Sequence, residues 1–154
     1  MDQQKQLRDH LLELLEGKSA HIDLKSGLDD YPAEHINTRI ENSPHTPWEL
    51  LEHLRIAQWD IVDFCTNADY KEKKWPDDYW PNPEATPDDW RESVVQIYRD
   101  LQSMRDLVAD ETTDLYAKIP HGDGQTILRE ALLIADHNAY HLGQLVLLRR
   151  ILEK

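Results

Sequence analysis

T-I-L-R-E-A-L-L-I-A-D-H-N-A-Y-H-L-G-Q-L-V-L-L-R-R-I-L-E, Thr126 to Glu153, is the stretch that decides how this chain folds. Wound at about 100° per residue, it points Leu, Ile, Val, Ala or Tyr in most directions, and a helix apolar nearly all round is a buried helix. Glu130, His137, His141 and Gln144 break that pattern together, in one wedge roughly 60° wide. Polar groups carried into a core must find partners there, because burying them unpaired costs a few kcal/mol. Two imidazoles four residues apart on one face can both reach a single metal ion.

The rest of the chain supplies what such a helix needs to pack against. Its 154 residues make one domain, 40% hydrophobic and 31% charged, with only 5 glycines. That composition predicts a compact, mainly helical protein. Thirty acidic residues stand against 17 basic ones, a net charge of −13. The excess excludes a nucleic-acid partner, which needs a basic footprint, and an anionic membrane surface. A single cysteine, Cys65, rules out an internal disulfide and any C-x-x-C motif; on the apolar stripe of its helix it reads as a buried, inert thiol. No apolar run reaches the ~20 residues that span a bilayer, and the first residues carry no apolar leader, so a reduced, cytoplasmic setting is expected.

Three more helices are expected. Asp2 to Glu16 has an apolar face of leucines and Gly17 as its C-cap. Thr46-Pro47-Trp48-Glu49 joins an N-cap, a proline at the first helical position and a capping-box Glu, opening a helix from Pro47 to about Cys65. Thr86-Pro87-Asp88-Asp89 opens another, running to about Ala109. With no internal repeat and no strand alternation, these periods predict an all-α four-helix bundle with long end-crossing loops. Between the second and third helices lies K-K-W-P-D-D-Y-W-P-N-P-E-A-T-P, Lys73 to Pro87. Its prolines exclude a regular helix. Its rings either pin a long loop to the bundle, the reading preferred here, or wall a pocket.

The chemistry centres on His137-Asn138-Ala139-Tyr140-His141. The H-E-x-x-H metalloproteases share the spacing but place a general-base Glu after the first His; here that position is Asn138, so a protease is not expected. His53, at the border of an apolar stripe, is the best third ligand. Three neutral imidazoles suit Zn²⁺, Ni²⁺, Fe²⁺ or Co²⁺ without choosing among them. Glu49, Asp60, Glu130 and Gln144 are candidates for an outer shell accepting the imidazole N–H groups, or for a catalytic base. His45 and His121 flank helix starts near a bundle end. Spacing alone leaves open the alternative that the paired histidines are ordinary helix residues satisfied by a carbonyl or a Glu. Nothing supports Ser/His/Asp catalysis, a phosphate loop or a dinucleotide site.

The run A-D-H-N-A-Y-H-L-G-Q-L-V-L-L-R-R (Ala135 to Arg150) resembles the last helix of the DinB-like (DinB/YfiT-like) family. The resemblance extends in colinear order to P-H-T-P-W-E-L-L-E-H-L-R-I-A-Q-W-D-I (Pro44 to Ile61), to K-W-P-D-D-Y-W-P in the loop and to G-D-G-Q-T-I-L-R-E-A-L-L (Gly122 to Leu133). It implies a single DinB-like bundle, up-down-down-up, frequently a homodimer. It also implies a divalent metal held by one His of the second helix and two of the last, positions filled here by His53, His137 and His141. Characterised relatives include thiol-dependent S-transferases and an isomerase acting with low-molecular-weight thiols, so a thiol co-substrate and a small-molecule substrate are expected. A metal-dependent hydrolase and a non-enzymatic metal- or ligand-binding stress-response bundle are the competing readings.

Overall fold

The computed structural model describes residues 3–81 and 84–154. Four long helices carry the fold: α1 (Gln3–Glu16), α3 (Pro47–Thr66), α4 (Pro87–Ala109) and α5 (Ile127–Leu152). A five-residue helix, α2 (Leu24–Leu28), and two 3-10 turns, Ala33–His35 and Asp77–Tyr79, interrupt the connections. Among the described residues there is no strand, only one isolated bridge between Lys118 and Thr126. The chain is therefore an all-α helical bundle. Asp2, the expected first residue of α1, and Asn82 and Pro83 of the proline-rich loop lie outside the described residues.

Local chemistry sets the helix starts. Thr46 accepts from the Glu49 amide while the Glu49 carboxylate accepts from the Thr46 amide, and Thr86 and Asp89 repeat the exchange at α4. Each pair satisfies two backbone donors that no helical carbonyl can reach. Gly17, at φ 73°, closes α1 in the left-handed region that a side chain would disfavour.

Two apolar clusters fix how the helices run. One joins Leu50, Leu51 and Leu54 of α3 to Trp90, Val94 and Ile97 of α4 and to Leu142, Leu145 and Leu148 of α5. The other joins Val62, Met104 and Val108 to Ile127, Ala131 and Ile134, with Leu11 and Leu15 of α1. Both α3 and α4 thus pass from the first cluster to the second, and α5 returns from the second to the first. Parallel neighbours need a connection as long as the helix they follow, roughly 30 Å for a 20-residue α3. The connection between α3 and α4 sets Tyr70, Tyr79 and Trp80 against the flank of α3, at Asp60 and His53. The other long connection, 17–46, lays α2 and Tyr31 along the second half of α5, against Leu142 and Leu145, and with Ile36 closes the first cluster. The interior is joined by polar contacts as well: Asn138 Nδ2 donates to Gln58 Oε1 (2.7 Å), and Gln58 Nε2 donates to the carbonyl of Ile97 (2.7 Å). Asn138 thus ties α5 through α3 to α4, on a different side of α5 from the two imidazoles.

Candidate metal centre

His53 lies two turns into α3, and His137 and His141 lie one turn apart on α5 where the two helices face each other. The three side chains converge, with ligand-capable nitrogens all within 4.8 Å of one another. His53 Nε2 and His137 Nε2 are 3.3 Å apart. Two nitrogens each about 2.05 Å from one ion, at the tetrahedral angle, would lie about 3.3 Å apart.

The neighbours of the rings decide which nitrogens are free. His53 Nδ1 is 2.9 Å from the carbonyl of Tyr79, which can only accept, so Nδ1 holds the proton and Nε2 the lone pair. His141 Nδ1 donates to Gln144 Oε1 at 2.7 Å, which frees its Nε2 in the same way. The His137 Nδ1 is buried without a hydrogen-bond partner. Burial, first of all, pushes the His137 imidazole down to about 3, with the two neighbouring histidines adding to the shift. Burial also lowers His53 and His141, against the opposing hydrogen bonds to the Tyr79 carbonyl and Gln144. At neutral pH all three rings are uncharged, the form in which imidazole binds a metal. Two oriented lone pairs, on His53 and His141, and a His53–His137 Nε2–Nε2 edge already at tetrahedral length are a donor set that fits a divalent transition metal.

Residues 8–145 match the DinB superfamily. The chain belongs to that family. No curated protein and no solved structure matches it in the same comparisons. The DinB region runs from within α1 to Leu145, and so takes in His53, His137, His141 and Gln144. Membership and the three-histidine cluster are together compatible with metal binding.

The four residues expected around the imidazoles have separate fates in this DinB bundle. Gln144 contacts His141 directly. Glu49 does not reach the cluster: its carboxylate caps the Thr46 amide and receives the Arg39 guanidinium at 2.8 Å, leaving it committed to the helix start. Asp60 faces the same side of α3 as His53 but two turns on, where it accepts from Tyr79 (2.7 Å) and Tyr70 (3.2 Å). Glu130 is likewise two turns from His137 and accepts from Arg129 at 2.6 Å. Neither carboxylate touches an imidazole. Both, with His137, line a cavity of about 530 Å³.

The proline-rich loop does more than pin itself to the bundle. Trp80 stacks on His53 (centroids 4.1 Å apart) and on His45 (4.0 Å), making a three-ring sandwich over the site. Trp75 and Tyr79 line the cavity beside His137, so the rings that hold the loop also wall a pocket. His121, at the far side of the cavity, bonds to the Phe64 carbonyl at 2.8 Å and takes no part in the cluster. The Cys65 thiol is pushed up to about 12, by burial first and then by the Glu130 charge, and is a protonated, unreactive group. Among the described residues no helix is long and apolar enough to cross a membrane.

Proposed function

We propose that His53, His137 and His141 hold a divalent transition metal and that the protein is a metal-dependent transferase of the thiol S-transferase type. The observation that carries this reading is a cluster of three neutral imidazoles opening beside a cavity. Bound there, the ion would act as a Lewis acid with an open coordination position, lowering the pKa of a thiol presented to it. The residues supply the rest. The Tyr79 carbonyl and Gln144 fix the orientation of two rings, Trp80 covers the His53 ring, and the cavity positions the second reactant against His137. In the transfer the thiol sulfur bonds to the electrophilic carbon, the leaving group departs with the electron pair of the broken bond, and the thiol proton passes to solvent.

A hydrolase that relied on a side-chain base for its water would find none at the cluster: the buried carboxylates are two turns away and engaged, Asp60 by two tyrosines and Glu130 by Arg129. A water activated by the ion alone is the competing reading, and the assay separates it from thiol transfer. The test is consumption of a small thiol with a chromogenic aryl halide. The rate should rise with metal occupancy and vanish in His53→Ala. Equal rates with and without protein would contradict the reading, and ester hydrolysis without thiol would transfer it to the hydrolase.

We further propose that two copies associate through α5. Its outward face leaves Leu132, Tyr140, Leu147 (59%) and Ile151 exposed, more apolar surface than one bundle needs. Light scattering should give twice the chain mass, reduced to one chain by Leu147→Lys; a monomer at high concentration would remove the dimer.

A further inference from the structure

The cavity beside His137 has a chemical character of its own. Four carboxylates line it, Asp60, Glu72, Asp123 and Glu130, against one permanently cationic side chain, Arg129. The Arg129 side chain is 57% exposed and already paired with Glu130. Rings from both α3 and the loop complete the walls: Phe64, Tyr70, Trp75 and Tyr79.

Asp60 is the unusual member. It is only 7% exposed. The Tyr70 and Tyr79 hydroxyls both donate to it, at 3.2 and 2.7 Å. Among the described residues no Lys, Arg or His lies within ion-pair distance of its carboxylate. Buried carboxylates are ordinarily matched by a cation, because an uncompensated charge away from water is expensive. Here the counter-charge is missing, and the carboxylate faces a space large enough to admit one from outside. Glu130, 2% exposed, stands opposite on α5. The helices run antiparallel, so Asp60 lies seven residues beyond His53 and Glu130 seven before His137. Both carboxylates are therefore about 10 Å along the cleft from the histidines.

We propose that the molecule taken by this cavity is an amine-bearing cation with an aromatic or alkyl body, its ammonium held between Asp60 and Glu130 and its other end directed at the three histidines. An ammonium supplies the absent counter-charge. The ring faces attract a cation and also accept an apolar body, whereas a carboxylate or phosphate in the same place would meet four like charges. The inference deepens the reading of the histidine cluster as a reaction centre, and it names the second reactant's class as cationic.

Binding is measured by calorimetry on the full chain stripped of metal with a chelator, so that no amine can coordinate an ion. The probes are 4-phenylbutylamine, 4-phenylbutanol and 4-phenylbutyrate, which share one body and differ in charge. The amine should bind about tenfold or more tightly than the alcohol, and the carboxylate should not bind. Asp60→Asn should weaken the amine about tenfold while leaving the alcohol unchanged. Asp9→Asn, on the exposed face of α1, should change nothing, separating the cavity from the general negative charge. If Asp60→Asn does not fold, Glu130→Gln and Trp75→Ala replace it, the latter ring being 69% exposed and dispensable to the core. Equal binding of amine and alcohol, no binding of any probe, or amine affinity untouched by the cavity variants overturns the inference. Metal content is read separately on untreated protein: loss of metal binding with amine binding intact refutes the metal reading alone, and the reverse refutes the cation pocket alone.

Discussion

Protonation of the histidine cluster should destabilise the metal-free protein in a way that one substitution can reveal. The His137 imidazole titrates near 3 in the folded chain against an ordinary 6.5. Between those values the unfolded chain carries a proton that the folded chain refuses, so acid favours unfolding. The contribution is fully present above the ordinary value and is lost as pH falls, by about 1.4 kcal/mol per pH unit, until it levels near the folded value. From pH 6.5 to about pH 5 the loss from His137 alone is about 2 kcal/mol, an upper figure because the ring is not fully buried. His53 and His141 are shifted in the same direction and add to it. Urea unfolding of chelator-treated wild type and His137→Gln at a series of pH values gives the measurement. Carboxylate protonation is common to both proteins, so the difference between them isolates the imidazole. The wild type should lose stability on it steadily below pH 6.5. A difference that stays flat between pH 6.5 and pH 5 would refute the claim that burial holds this ring neutral.

The structure makes other quantitative demands. Gln144→Ala removes the acceptor that sets the His141 tautomer, and metal affinity by competition with a chelating dye should fall 10- to 100-fold, an order-of-magnitude range. Leu54→Ala empties a site of zero exposure directly beside His53, and chemical denaturation should show a loss of about 2–5 kcal/mol. Thr46→Ala deletes one half of the α3 capping box at a cost of about 1 kcal/mol, without change in metal content. A mobility-shift assay should show no tight duplex binding, since the chain carries an excess of 13 negative charges.

What could be read from the sequence was what nearby residues settle among themselves. Thr46-Pro47 and Thr86-Pro87 start α3 and α4 because an N-cap, a proline and an acid three residues on satisfy local donors wherever the bundle lies. By contrast, α2 is five residues long, too short to show a period, and only the Asp23 cap betrays it. The histidine face of α5 and the phase of His53 were legible because helical angle is fixed by count. Depth along the helix is not a matter of phase, which is why Asp60 and Glu130 share the histidines' faces yet stand two turns away. Glu49 carried two readings at once, capping acid and outer-shell group, and its carboxylate is spent on the first. Tyr79 was missed as the group orienting His53 because a backbone carbonyl has no residue type. The density of rings in Trp75-Pro76-Asp77-Asp78-Tyr79-Trp80 was the one available sign that the loop belongs to the site.

The central claim is that three histidines on two helices make one metal centre, and metal analysis tests it most directly. Purified chain reloaded with Zn²⁺, Ni²⁺, Fe²⁺ or Co²⁺ and freed of excess should retain one ion per molecule for at least one of them. His137→Ala, circular dichroism confirming its helices, should retain almost none. Equal metal content in the two proteins would contradict the account.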